Sequence, residues 1–135
     1  MKKYKNIAAL IITVLLISLY AVINNNTNIY KMTVNNVSGT GIGAGFIDDT
    51  KYETVIKNEH IKYENDTPYV FLIKQKKTFW YTSNYIEKAE IDILANDGGK
   101  CAVVFVNKNY NLSDRLLTKS AKTPREGEDV YLDKN

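Results

Sequence analysis

The chain has 135 residues, a formal net charge of +3, one cysteine and one histidine. Three of its lysines, Lys2, Lys3 and Lys5, stand at the extreme N-terminus. The remainder is close to neutral, so the charge does not support binding to nucleic acid. The single cysteine, Cys101, excludes an intrachain disulfide, and one histidine with one cysteine is too few for a typical zinc site. Ten tyrosines and only two prolines are typical of a strand-rich domain.

An uncharged apolar run of 17 residues, 7–23, follows the three lysines. It is just long enough to span a bilayer, and the preceding lysines predict a cytoplasmic N-terminus with the rest of the chain outside. We therefore expect residues 1–23 to be a cytoplasmic stub and a transmembrane anchor in contact with membrane lipid, as in a single-pass bacterial protein. The alternatives are a cleaved signal peptide and a buried core helix. Cleavage after Ala21 would place Leu19 at the −3 position, where signal peptides prefer a small residue.

Asparagines dominate residues 24–36, which we interpret as a polar spacer with one short strand at 29–34. Residues 37–135 then form the extracytoplasmic domain. Their short apolar runs alternate with turn signals and show no helical period of useful length. The predicted fold class is therefore mainly β, with a small β-barrel or sandwich domain behind one N-terminal transmembrane helix.

Five runs carry the strand prediction: 52–56, 68–75, 85–94, 101–106 and 129–132. In 85–94 apolar and charged side chains alternate, which is typical of a strand with one solvent-exposed face. The apolar positions are Tyr85, Ala89, Ile91 and Ile93. The run 101–106 is continuously apolar, which indicates burial on both faces. Between these two runs, the sequence "NDGG" predicts a hairpin turn.

Four glycines, at positions 39, 41, 43 and 45, give the segment "SGTGIGAGF" the look of a phosphate-binding loop. A dinucleotide site also needs a helix after the glycines, but "FIDDTKYETVI" follows, with two aspartates and no helical period. The spacing of two instead places all four glycines on one face of a strand, where main chains can approach closely. A flexible loop is the alternative interpretation.

Few residues are candidates for a functional site. The acidic pairs Asp48–Asp49 and Glu126–Glu128 are read as turn carboxylates rather than metal ligands. His60 has no nucleophile motif around it. Cys101 is interpreted as a small core residue. We therefore expect no catalytic, metal or cofactor site and no enzymatic activity.

The aromatic residues Phe79, Trp80 and Tyr81, with Tyr85 nearby, form either part of the core or an exposed patch. The core is the favoured interpretation. In the alternative, Phe79, Trp80 and Tyr81 contact a partner.

From residue 52 to its end, the chain resembles the C-terminal, membrane-proximal β region of HlyD-type membrane-fusion proteins. These are the adaptor subunits of RND and ABC efflux or secretion systems. The segment "VIKNEHI" leads through "KYENDTP" to "YVFLI", and "AEIDILANDGG" follows an aromatic segment. The closing stretch "SAKTPREGEDVYL" keeps the family-like residues Pro124, Glu126, Gly127, Val130 and Leu132.

The chain also departs from that family. Ile56-Lys57 stands where members carry Ile-Pro, and no room exists between the apolar run and residue 52 for the lipoyl and α-hairpin parts. The resemblance implies an adaptor-like accessory that contacts a transporter permease or a full-length adaptor subunit. The alternative is a free-standing cell-envelope module that binds a glycan, a peptide or a wall component.

Overall fold

The computed structural model describes residues 2–107, 110–111 and 113–133, and the chain divides into two compact units between Val34 and Asn35. The first unit is one helix, α1, over Lys2–Thr33. Its window Asn6–Asn26 is long and apolar enough to cross a membrane, and the side chains of this window are exposed throughout.

The strand expected at 29–34 is wrong, because α1 continues through the asparagine-rich segment to Thr33. Asparagine is a poor helix former, but an established helix adds residues without a new nucleation cost. Neither proline nor glycine stands between Ile23 and Thr33 to stop it. The β unit then begins at Asn35, two residues before the expected boundary at 37.

Nine strands make up the described part of the second unit. They are β1 Asn35–Gly41, β2 Gly43–Ile47, β3 Thr50–Lys57, β4 Lys62–Glu64, β5 Thr67–Lys77, β6 Thr82–Asn96, β7 Lys100–Phe105, β8 Arg115–Ser120 and β9 Asp129–Leu132, with one 3₁₀ turn over Asn58–His60. The mainly β fold class is confirmed. All five predicted runs are strands, and the glycine segment is extended as β1 and β2.

Five of these strands close into a barrel, in the order β6–β9–β1–β8–β5 and back to β6. The two long strands β5 and β6 form a regular antiparallel hairpin from Tyr69↔Glu90 to Lys77↔Thr82. The short strand β9 completes the ring, because it pairs with β6 on one side and in parallel with β1 on the other. Closure leaves β9 and β1 without an open edge, which removes a common route to aggregation.

A second sheet shares β6 with the barrel. It has the order β2–β3–β7–β6, and it uses the later half of β6, where Ile91 pairs with Phe105 and Asn96 with Cys101. Residues 82–90 of β6 belong to the barrel and residues 91–96 to the second sheet. One strand therefore joins the two sheets.

The acidic pair Asp48–Asp49 has a structural role, because it forms one of two tight hairpin turns. Asp48 and Asp49 have positive φ angles of 46° and 63°, and they form the two-residue loop that closes at Ile47↔Thr50. Asn65 and Asp66 do the same between β4 and β5, with φ angles of 50° and 64°. Two consecutive positive φ angles are the geometry of the two-residue hairpin loop, which favours Asn and Asp.

Two clusters of buried side chains form the core. The first takes side chains from all five barrel strands and so fills the barrel: Val37, Ile73, Ile86 and Val130, with Phe71, Leu117 and Leu132 packed against them. The second joins β5, β6 and β8 to β3 and β7 through Ile56, Val70, Leu72, Ile91, Cys101, Val103 and Leu116. Neighbouring residues of β5, Leu72 and Ile73, belong to different clusters, so this strand is buried on both faces.

The prediction that the strand 85–94 has one buried and one solvent-exposed face is wrong at the beginning of the strand. Ile86 is completely buried in the barrel, whereas Ile91 is buried in the second cluster from the opposite face. The apolar side of β6 changes because the strand passes from one sheet to the other. The prediction that both faces of 101–106 are buried is confirmed for Cys101, Ala102 and Val103. It is wrong for Val104 and Val106, which are exposed.

Only two of the four alternating glycines stand where a side chain would clash. A Cβ at Gly39 would lie 2.7 Å from Ile73 Cδ1 and 3.1 Å from the Leu116 carbonyl oxygen, and one at Gly45 would lie 3.0 Å from Val55 Cβ. A Cβ at Gly41 or Gly43 would meet nothing within 4 Å. The close approach expected of this segment is therefore made at Gly39 inside the barrel and at Gly45 against β3.

We predict that Gly39→Ala lowers the free energy of unfolding by about 1–3 kcal/mol, because the methyl group overpacks the buried side of β1. Gly41→Ala is the matched control, and it should change stability by no more than about 1 kcal/mol, in either direction. Urea unfolding of the full-length protein in detergent measures both. Equal effects of the two changes would contradict the packing described for Gly39.

A buried ion pair bridges β5 and the segment before β8. Lys74 Nζ lies 3.7 Å from Asp114 Oδ2 and 3.2 Å from Glu87 Oε2, and both Lys74 and Asp114 are buried. Asp114 Oδ2 also accepts a hydrogen bond from the Asn111 main-chain N–H at 2.9 Å. The carboxylate thus ties the turn at Asn111 to the lysine on β5.

We predict that Asp114→Ala destabilises the protein by roughly 2–3 kcal/mol, because it removes one carboxylate partner of a buried cation. Glu59→Ala removes a carboxylate from the exposed Lys57–Glu59 pair and serves as the control. Its cost should stay below about 1 kcal/mol. Unfolding midpoints compared between the two variants test the difference. A loss of stability in Asp114→Ala no larger than that in Glu59→Ala would contradict the role of the buried pair.

Candidate interaction site

The β5–β6 hairpin ends in a tight turn that carries three consecutive aromatic side chains. The Thr78 main-chain N–H donates to the Tyr81 carbonyl oxygen at 2.8 Å, and Thr78 Oγ1 accepts from the Tyr81 N–H at 3.1 Å. These bonds close the turn, so Phe79 and Trp80 occupy its tip. We call residues Phe79, Trp80 and Tyr81 the aromatic turn.

The favoured interpretation of these residues as core is wrong. Phe79 is 89% exposed, Trp80 86% and Tyr81 63%, while Tyr85 is half-buried. The cause is the register of the hairpin: pairing ends at Lys77↔Thr82, and the turn lies beyond the last pair. The structure thus brings the three residues together on the surface, as the alternative interpretation requires.

The chemistry of the aromatic turn suits contact with a macromolecule. Phe79 and Trp80 meet edge to face, with ring centroids 4.8 Å apart and an interplanar angle of 82°. Exposed tryptophan and tyrosine supply large apolar area at low entropic cost and are enriched among residues that dominate binding energy. Lys76 and Lys77, both exposed, precede the turn and add positive charge.

The family-like closing residues lie elsewhere and have structural roles. Gly127 has a φ angle of 77°, and its N–H donates to the Ile86 carbonyl oxygen at 2.8 Å. The Ile86 N–H in turn donates to the Glu128 carbonyl oxygen at 3.0 Å. Val130 and Leu132 then carry β9 into the barrel core, whereas Pro124 is half-buried and Glu126 exposed. The two hydrogen bonds with Ile86 hold the turn before β9 against β6.

The remaining candidates do not assemble into a reactive site. Among the residues that the structure describes, no three His, Cys, Asp or Glu side chains cluster as metal ligands. Glu128 Oε2 accepts from the Arg125 N–H at 3.1 Å, which stabilises its own turn. His60 Nε2 lies 3.5 Å from Glu59 Oε1 in the 3₁₀ turn.

Cys101 is a buried core residue, in agreement with its interpretation from the sequence. Its Sγ lies 2.8 Å from Asn58 Oδ1, an oxygen that accepts the thiol hydrogen. Burial raises the pKa of the Cys101 thiol, and Asp97 adds to the increase. A protonated and enclosed thiol is a poor nucleophile.

A groove between β3 and β7 is not evident from the sequence. It encloses about 490 Å³ beside Tyr52, Leu94, Val104 and Tyr110. The only available signal was Val104, an apolar residue in a run interpreted as buried on both faces. Val104 is exposed because the run leaves the core at this point.

Comparison of the chain with protein-family models, curated proteins and solved structures finds no significant match.

We predict that Cys101 reacts with iodoacetamide at neutral pH at least about tenfold more slowly in the folded protein than in urea. The reason is that burial both excludes the reagent and keeps the thiol protonated. Mass spectrometry of timed samples measures the rate. Modification at similar rates in both conditions would contradict the packing of Cys101.

Proposed function

We propose that the protein is a non-enzymatic, membrane-anchored accessory of an efflux or secretion transporter, and that its β domain lies outside the cytoplasmic membrane. It acts by protein–protein contact, with a transporter permease or a full-length adaptor subunit as partner. The observation that carries this proposal is the exposed aromatic turn at the tip of a barrel hairpin.

Three features support the proposal together. The apolar window Asn6–Asn26 is suited to hold the chain in a bilayer, and the lysines before it favour a cytoplasmic N-terminus. The barrel gives the aromatic turn a rigid support, because β5 and β6 pair without interruption up to Lys77↔Thr82. The turn itself leaves Phe79 and Trp80 exposed, although large apolar side chains of monomeric proteins rarely cluster on the surface without a role.

Site-specific crosslinking in native membranes tests the partner. A photoreactive phenylalanine analogue replaces Trp80 in one version of the protein and Tyr63 in another. Tyr63 is also an exposed aromatic, but it lies on β4, which pairs with the beginning of β5. We expect a transporter subunit in the products from position 80 and not in those from position 63. Recovery of this protein alone from both positions, in several growth states, would contradict the proposal.

We predict that Trp80→Ala leaves the unfolding midpoint unchanged and weakens partner binding by about 30-fold, the value expected for loss of about 2 kcal/mol at a dominant contact. The fold should survive because Trp80 contributes little to the core. Tyr63→Ala, a matched exposed aromatic, should change neither quantity. Circular dichroism on heating and co-purification from membranes measure the two effects. Unfolding of Trp80→Ala would show that the tryptophan is part of the core.

A free-standing module that binds an envelope component is the second candidate. It is favoured by the edge-to-face pair of Phe79 and Trp80, which leaves ring surface uncovered for a glycan or peptide. In this case the protein in detergent would bind purified cell-wall fragments without any transporter subunit, and Trp80→Ala would abolish that binding.

A further inference from the structure

The strands β3 and β7 are paired over only three positions. Val55 lies opposite Ala102, Ile56 opposite Cys101 and Lys57 opposite Lys100. Within the described part of the chain, residues 50–54 of β3 then pair only with β2, and residues 103–105 of β7 pair only with β6. The second sheet is therefore split, with two strand edges facing the gap.

The main chain of β7 presents hydrogen-bonding groups to this gap. The Val106 N–H donates to the Glu90 carbonyl oxygen on β6 at 3.1 Å. Main-chain groups of successive strand residues point to alternate sides, so those of Val103 and Phe105 point away from β6. An edge of this kind is a template for another strand.

The groove between the edges has apolar walls. It is lined by Lys51, Tyr52, Glu53, Thr54, Leu94, Val103, Val104, Phe105 and Tyr110. The Tyr110 ring stacks on Phe105 at 4.8 Å with an interplanar angle of 13°, and its hydroxyl lies 3.5 Å from the Ile42 carbonyl oxygen. The charges lining the groove, Lys51 and Glu53, are of opposite sign. The lining favours a segment that is apolar and nearly neutral.

The gap has a structural cause. The register of β2 against β3 shifts between Gly43 and Gly45, and the register of β6 against β7 shifts between Ile93 and Ala95. Such bulges bend a strand and increase its twist. With a bulge on each side, β3 and β7 stop pairing beyond Val55.

We propose that this groove binds an extended peptide segment of another protein by strand addition between β3 and β7. A polypeptide main chain offers donors and acceptors at strand spacing on both of its sides, which a sugar or a lipid chain does not. The volume of about 490 Å³ lies in the range of about 300–1,000 Å³ for ligand pockets. The peptide places alternate apolar side chains against Leu94 and Val104. The proposal does not depend on the aromatic turn or on the transporter.

Selection of displayed peptides on the full-length protein in detergent tests the proposal. The probe is a phage library of random eight-residue peptides. A second panning uses Val104→Lys, and a third uses Val106→Lys as the matched control. Val104 is 49% exposed and lines the groove, whereas Val106 is 47% exposed and does not line it. Both changes should therefore leave the fold intact, which the unfolding midpoint checks.

We expect enriched peptides with alternating apolar residues. Val104→Lys should weaken their binding at least about tenfold, because the long charged side chain occupies the apolar groove, while Val106→Lys should leave binding unchanged. The bound peptide should also slow amide hydrogen exchange at Val103 and Phe105. Failure to enrich any peptide, or binding that leaves exchange at Val103 and Phe105 unchanged, would overturn the proposal. A concentration-dependent dimer that Val104→Lys abolishes would overturn it as well, because the occupant would then be a second copy of this chain.

Discussion

The pairing of β6 on both sheets is the constraint on which the rest of the β unit depends. Its first half hydrogen-bonds to β5 and β9 and so closes the barrel, and its second half hydrogen-bonds to β7 and so begins the second sheet. Because the strand passes between sheets, Ile86 faces the barrel core and Ile91 faces the second core. A single break in β6 would open the barrel and separate the two sheets.

The two binding sites that we propose lie in parts of the domain that this framework does not use. The barrel core is complete without Phe79 and Trp80, since β5 and β6 stop pairing before the turn. The second sheet is likewise complete at Val55↔Ala102, and β3 and β7 then separate. Both features leave apolar surface exposed on a rigid support. A rigid support lowers the entropic cost of ordering a contact, which is why we propose binding at these two places.

Local chemistry made the fold class predictable. Alternation and apolar runs mark the strands, and short turn sequences such as that of residues 96–99 separate them. The two-residue turns at Asp48–Asp49 and Asn65–Asp66 follow from side chains that tolerate positive φ. The continuation of the helix to Thr33 does not follow from local preference, because asparagine is a poor helix former, and an established helix can override this.

Local patterns do not predict whether the aromatic residues are buried, nor which face of β6 is buried. Whether Trp80 is core or surface depends on where the hairpin register ends, and no local pattern encodes that position. The apolar face of β6 changes only because two separate sheets share the strand. The groove arises from two bulges in strands distant in sequence, and the need for glycine at Gly39 arises from Ile73 on another strand. These features depend on tertiary pairing.

Native-state hydrogen exchange on the full-length protein in detergent tests the shared role of β6 most directly. The Ile86 N–H bonds to the Glu128 carbonyl oxygen, and the Val106 N–H bonds to β6 at Glu90, so the two amides report on the barrel and on the second sheet. If β6 holds both sheets together, both amides should exchange only through global unfolding, with the same dependence on denaturant. Exchange of Ile86 through an opening of the barrel well below the global free energy of unfolding, while Val106 stays protected, would contradict the account.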